Sequence, residues 1–174
     1  MSVVVLKKTD KKIKIAADSI IICGGTRIEK TTKAVKLFKI NEMIIGSVGF
    51  ASEGLLLENF ALTHQPYQAT EREVVNFFIE FNKYLTNDLG LSKYSNSFIL
   101  CFKGKAFLID ADLFISEIQN YAAIGAGQDY SLAALYLGHS AKEAVQVACD
   151  LCAFVAGPII EYEMKIENED GFSQ

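Results

Sequence analysis

Six short apolar runs, paired across tight polar turns, constrain this chain more than any other feature. Val3–Leu6 and Lys12–Asp18 flank the turn Lys7–Lys11. Lys36–Ile40 and Met43–Val48 flank Asn41-Glu42, and Ser97–Phe102 and Ala106–Asp110 flank Lys103-Gly104-Lys105. Each pair reads as a β-hairpin, because β-branched and aromatic runs broken by Gly, Asn, Asp or Lys turns favour antiparallel strands. The first run follows Met1-Ser2 directly, with no polar lead. Ile20–Cys23 continues as extended chain, Gly24-Gly25 breaks it, and a polar loop covers Thr26 to Lys33.

Helical patterns separate the hairpins. Ala51–Thr63 carries Leu55, Leu56, Phe60 and Leu62 as an apolar stripe and is stopped by Pro66. Thr70-Glu71-Arg72-Glu73 is a capping box that starts a helix reaching about Gly90, with Val74, Val75, Phe77, Phe78, Phe81 and Leu85 apolar. After the third hairpin comes a short strand, Tyr121–Ile124, closed by Gly125-Ala126-Gly127. Helices over Asp129–Leu137 and from Ser140 to about Cys152 follow, the second with Glu143 completing a capping box. Gly157-Pro158 makes a turn, and Ile159–Ile166 alternates apolar and charged residues as a last, edge strand. Hairpins build antiparallel sheets, two such sheets bury their apolar faces together, and consecutive helix pairs cover the outer faces. The expected fold class is α+β, a four-layer α-β-β-α sandwich with two antiparallel sheets. The 174 residues fit one domain, with Glu167–Gln174 as a polar tail.

Composition narrows the function. The net charge is −4 and the isoelectric point about 5.2, with no basic stripe, which argues against nucleic-acid binding. No apolar run reaches the roughly 18 residues of a membrane span, and the start lacks a charged-then-apolar secretion signal. A mean hydropathy of +0.22 fits either a compact core or apolar surface buried against other copies of the chain. Cys149 and Cys152 have the spacing of a redox or metal pair, but Cys23 and Cys101 stand alone and no His cluster completes a zinc site. Free buried thiols in a reducing, cytoplasmic compartment are the favoured reading.

Four stretches carry a family resemblance: KIAADS at 14–19, KLFKINEMIIGSVG at 36–49, AAIGAGQDYSLAAL at 122–135 and SAKEAVQVACDLCAFVAG at 140–157. In this order and spacing they resemble the proteasome β-subunit family and its bacterial HslV-like relatives, which are N-terminal nucleophile hydrolases. The resemblance implies peptide-bond hydrolysis by the chain's first residue. Its hydroxyl attacks a carbonyl and its own α-amine takes the proton. A nearby lysine ammonium favours the neutral amine, an aspartate holds that lysine, and backbone N–H groups at a Gly-rich strand end stabilise the oxyanion.

Carried over residue by residue, Ser2 stands at the nucleophile position, sixteen residues before Asp18, as in the family. Asp18 is the implied lysine partner. Lys36 matches the family lysine through KLFKIN at the cost of a two-residue insertion, and Lys33 competes without one. Gly49, or the neighbouring N–H of Phe50, takes the oxyanion role, although Phe50 replaces a family glycine and is expected to crowd the pocket. Ala126 replaces a supporting serine, for which Asp129 or Ser131 are the possible substitutes, Asp129 being more simply a helix N-cap. Asp150 is matched to a further acidic position. His64 and His139 read as surface or cap residues. The scheme requires removal of Met1, which a small Ser2 permits, because an acylated Ser2 has no amine.

The resemblance further implies a homo-oligomeric ring, singly or as two stacked rings, an ATP-dependent unfoldase partner and unfolded polypeptide as substrate. No organic cofactor is expected. A monovalent cation on backbone carbonyls of 152–157 is an extension of the resemblance. The alternative function is a catalytically inactive ring or scaffold subunit on the same fold, favoured by Ala126, Phe50 and any retained Met1.

Overall fold

The computed structural model describes residues 2–23, 25–27 and 36–166. Met1, Lys33 and the expected tail therefore lie outside the described residues. In chain order the elements are β1 (Val3–Lys8), β2 (Lys12–Ala17), β3 (Ile22–Cys23), β4 (Thr26–Arg27), β5 (Leu37–Ile40) and β6 (Met43–Val48). Then come α1 (Ala51–Ala61), α2 (Glu71–Lys83) with a π-helical extension Tyr84–Asp88, β7 (Ser97–Phe102), β8 (Lys105–Ile109), β9 (Ile115–Glu117) and β10 (Tyr121–Gly125). The chain closes with α3 (Gln128–Tyr136), α4 (Ala141–Leu151) and β11 (Ile160–Lys165).

The strands form two main antiparallel sheets, ordered β10-β1-β2-β11 and β5-β6-β7-β8-β9, beside the small β3-β4 pair. The three expected hairpins are β1-β2, β5-β6 and β7-β8, and β11 is an edge strand as expected. Turn chemistry explains the second and third of these hairpins: Asn41, Lys103 and Gly104 all take positive φ, the left-handed conformation that tight connections demand. Strand β9 and the β3-β4 pair went unforeseen, because runs of two or three residues carry no usable periodicity.

Three apolar clusters separate four layers. Val3 and Val5 of β1 face α3 and α4 with Ala134, Leu135, Ala144, Val145 and Ala148. Val4 and Leu6, on the opposite face, pack against Leu37, Ile44, Ile99 and Cys101 of the second sheet. That alternation explains why the first run is apolar without a break: both faces of β1 are covered, and Val3 to Leu6 are all fully buried. The second sheet repeats the arrangement. Met43, Ile45, Phe98, Leu100 and Phe102 face α1 and α2, where Phe60, Phe77, Phe78, Phe81 and Tyr94 form an aromatic cluster.

Both N-caps start helices where expected, but the reciprocal capping box is complete only at Ser140, since the Thr70 N–H donates to the Gln68 carbonyl at 3.0 Å and not to Glu73. Thr70 Oγ1 accepts from the Glu73 N–H, and Ser140 Oγ accepts from the Glu143 N–H while the Glu143 carboxylate accepts from the Ser140 N–H. The stripe on α1 differs from expectation. Leu55 and Leu62 are exposed, and the buried face is Gly54, Leu57, Phe60 and Ala61. Gly54 turns inward because α1 lies close over β6, where a Cβ on Gly54 would stand 3.2 Å from Ser47 Oγ. None of the described helices is long and apolar enough to cross a membrane.

Candidate active site

The start of β1 sits inside the molecule, and its backbone is held from three sides. Ser2 is only 5 % exposed. The Val3 N–H donates to Asp18 Oδ1 at 2.8 Å, and the Gly127 N–H reaches the Ser2 carbonyl at 3.4 Å. Gly125 pairs with Val3 and has φ +98°, and a Cβ there would collide with the Ser2 carbonyl. The β10–α3 turn glycines are therefore more than turn formers: their missing side chains make room for the first residue of the strand.

Asp18, at the end of β2, is fully buried. Its second oxygen, Oδ2, accepts from Lys36 Nζ at 2.7 Å, the Ile20 N–H at 3.3 Å and the Ala156 N–H at 3.5 Å. A buried carboxylate needs such partners, because removing it from water without them is prohibitive. The expected Asp18–Lys36 pair is thus formed, with Lys36 entering from the start of β5. The competitor Lys33 lies outside the described residues.

Ser2, Lys36 and Gly49 line one cleft of about 160 Å³, together with Ile20–Ile22, Ser47, Phe50, Ala51 and Gly54. Gly49, at the end of β6, has φ +128°. The two oxyanion options separate here. The Phe50 N–H donates to Asn96 Oδ1 at 2.6 Å, so it is engaged away from any substrate oxygen. Gly49 is left as the candidate donor. The Phe50 side chain is 67 % exposed rather than crowding the interior, although the residue still borders the cleft.

The other expected residues fall elsewhere. The N-cap of α3 is Gly127, not Asp129, which is exposed on the first turn. Ser131 is fully buried and donates to the Ala144 carbonyl at 3.0 Å, so its hydroxyl ties α3 to α4 and does not replace the serine missing at Ala126. Asp150 is exposed and accepts from Gln146 Nε2 at 2.8 Å, one helical turn away on α4. His64 stacks on Phe60 with centroids 4.1 Å apart, and His139 stands exposed 3.9 Å from Glu143, both surface or cap roles as expected.

Cys101, Cys149 and Cys152 are free thiols. Burial pushes the Cys149 thiol up to about 11, the reverse of an activated redox cysteine. Cys152 Sγ points to the Ala126 carbonyl at 3.6 Å. The Cys23 side chain lies outside the described residues. Among the described residues no group of three or more His, Cys, Asp or Glu could hold a metal ion. In the 152–157 loop the Ala156 carbonyl accepts from both Ser19 N–H and Ile20 N–H at 3.2 Å, which fills both its lone pairs and does not fit a cation ligand.

Residues absent from the sequence reading also shape the site. Asn96, just before β7, is 1 % exposed and grips Phe50 from both sides, and Ser47 Oγ accepts from its Nδ2 at 3.0 Å. No motif marked Asn96, because its partners are 46 and 49 residues away.

Two antiparallel sheets between helix pairs, with the first strand's opening residue buried beside an aspartate–lysine pair, define the N-terminal nucleophile hydrolase fold. Solved structures agree. The chain superposes on BPH from Thiobacillus denitrificans in complex with epoxomicin with a TM-score of 0.86 at 19 % identity, over 95 % of this chain and 100 % of that one. It superposes on eukaryotic HslV from Trypanosoma brucei with a TM-score of 0.70 at 19 % identity, over 94 % and 99 %. In sequence it is 26 % identical over 159 residues to the ATP-dependent protease subunit HslV of Rickettsia typhi, covering 84 % of this chain and 86 % of that one. The HslV subunit of Rickettsia prowazekii is likewise 26 % identical, over 165 residues and 88 % of each chain. No protein-family model matches the chain. In sequence and in fold the chain is thus similar to HslV-like proteins of the proteasome β-subunit type.

Proposed function

We propose that this chain is a peptidase whose nucleophile is the Ser2 hydroxyl, with the Ser2 α-amine freed as its base by removal of Met1. One observation carries the reading. The buried Asp18 carboxylate joins Lys36 Nζ at 2.7 Å to the Val3 N–H at 2.8 Å, so the lysine charge is anchored at the peptide that follows Ser2. In this scheme the lysine ammonium disfavours a second cation nearby and keeps the α-amine neutral at working pH. The amine accepts the hydroxyl proton, through a water, as Oγ bonds to the peptide carbonyl carbon. Charge on the carbonyl oxygen is met by the Gly49 N–H. Collapse expels the leaving amine, which takes the proton, and a water then hydrolyses the Ser2 ester by the same route. Asp18 and Lys36 keep their charges throughout.

The relatives named as ATP-dependent protease subunits support the remaining parts of the proposal. The chain assembles as a homo-oligomeric ring, receives unfolded polypeptide, and works with an ATP-dependent unfoldase. Ala126 and the engaged Phe50 N–H favour the second reading, an inactive ring subunit on the same fold.

Mass spectrometry of the assembled protein's N-terminal peptide, with and without epoxomicin, tests the choice. Loss of the Met1 mass and an inhibitor adduct on Ser2, absent in Ser2→Ala, is the expected result. A mature assembly that retains Met1, or forms no adduct, overturns the peptidase reading in favour of the inactive subunit.

A further inference from the structure

We propose that Asn96 is a positioning residue for this reaction: its buried amide clamps the Gly49–Phe50 junction and thereby sets the oxyanion donor at the edge of the cleft. The inference rests on the peptidase reading above.

Three bonds and one steric fact carry it. Asn96 Oδ1 accepts from the Phe50 N–H at 2.6 Å, while Nδ2 donates to the Phe50 carbonyl at 2.8 Å and to Ser47 Oγ at 3.0 Å. The amide holds both main-chain groups of one residue, as a neighbouring strand would, and spends both donor hydrogens doing so. Gly49 lies directly under this clamp: a Cβ there would overlap Asn96 Oδ1 and stand 3.2 Å from Asn96 Cα. Glycine at 49 is therefore required by the approach of Asn96 as well as by its φ of +128°.

The clamp is itself held. Residues 89–96 form neither helix nor strand, yet the Tyr94 N–H donates to Asn82 Oδ1 at 3.2 Å. The Glu53 carboxylate accepts from the Ser95 N–H at 2.8 Å, the Ser95 hydroxyl at 2.9 Å and the Asn96 N–H at 2.8 Å. Glu53 is on the first turn of α1, whose N-cap is Phe50 and lacks a side-chain cap. Glu53 thus fixes the backbone of Asn96, and Asn96 fixes Phe50 in return, closing a loop around Gly49. An oxyanion donor works only if it is oriented before the charge develops, and an error of about 1 Å costs on the order of a hundredfold in rate.

The test compares epoxomicin adduct formation on Ser2 in wild-type protein, Asn96→Asp and Glu53→Ala, separating the maximal inactivation rate from the inhibitor's binding constant, with thermal unfolding as a fold control. In Asn96→Asp the carboxylate still accepts from the Phe50 N–H but cannot donate to Phe50 or Ser47. The maximal rate should fall about 10- to 100-fold with binding changed less than about threefold. Protonating the new carboxyl returns one donor, so the variant-to-wild-type rate ratio should climb as pH falls. Glu53→Ala, which removes the acceptor of the Ser95 and Asn96 N–H groups, should lower the rate about threefold or more. It decides the matter if Asn96→Asp does not fold. Wild-type rates in folded variants, or a ratio flat with pH, overturn the positioning role and leave the peptidase reading intact. A wild-type protein that forms no adduct overturns both.

Discussion

Replacing Asp18 by alanine should be among the most damaging single changes outside the aromatic core. The carboxylate is fully buried, and its charged partner among the described residues, Lys36, has a side chain only 12 % exposed. Removing one member of a buried pair takes from the other charge its closest counter-ion, at a cost of about 3–5 kcal/mol. The Val3 N–H loses its 2.8 Å acceptor, and an orphaned buried donor adds about 1–3 kcal/mol. Lys36 recovers part of this by swinging toward the cleft, so the expected net loss is about 4 kcal/mol. For a protein of this size about 1 kcal/mol shifts the melting temperature by roughly 2–4 °C, so the midpoint should fall by roughly 8–16 °C. Calorimetry on Asp18→Ala, Lys36→Met and the double variant is the assay. The double variant should be more stable than the two losses taken together, since both single changes lose the same Asp18–Lys36 contact. A midpoint within about 2 °C of wild type in Asp18→Ala, or strictly additive losses, would refute the reasoning.

Further outcomes can be stated briefly. Phe78→Ala should cost about 3–5 kcal/mol in urea unfolding, because the ring is fully buried and lies 5.3 Å from Phe77, 5.4 Å from Phe98 and 5.6 Å from Tyr94. Gly125→Ala should lower stability and abolish epoxomicin labelling together, since the new Cβ meets the Ser2 carbonyl at a φ of +98°. Hydrogen bonding from the Ser140 backbone and hydroxyl holds the Glu143 carboxyl below the usual range. A lowered folded-state value means this cap stabilises α4 fully above the ordinary carboxylate range and weakens as pH falls through that lowered value. Hydrogen-exchange protection at the start of α4, taken relative to the intrinsic exchange rate at each pH, should then fall in acid, and Glu143→Gln should flatten the dependence. Cys149, with its thiol pushed to about 11, should react with iodoacetamide at pH 8 on the order of a hundredfold more slowly than an exposed cysteine.

Much of the fold is legible because its signals are local. A positive-φ turn such as Asn41, or a cap such as Ser140 with Glu143, involves residues within three or four positions of each other. The unbroken Val3–Leu6 run likewise announces a strand covered on both faces. The buried face of α1 is not legible in its sequence, because a helix with Leu55, Leu56, Leu57, Phe60 and Leu62 offers more than one apolar face. Only the close approach of β6 selects Gly54, Leu57, Phe60 and Ala61.

For the site, the candidates Ser2, Asp18, Lys36 and Gly49 came from family-like spacing, and the chain's own patterning accounts for the strand ends that carry them. What spacing does not contain is who partners whom. The tertiary structure alone decided that Phe50 turns its N–H to Asn96, that Ser131 serves α4, and that Asp150 bonds along its own helix. Hydrophobic periodicity and turn chemistry act over a few residues and are written in the linear order. Hydrogen bonds of a buried polar group are chosen by whichever atoms the packed layers bring within about 3 Å, and that choice exists only once the sheets and helices have closed.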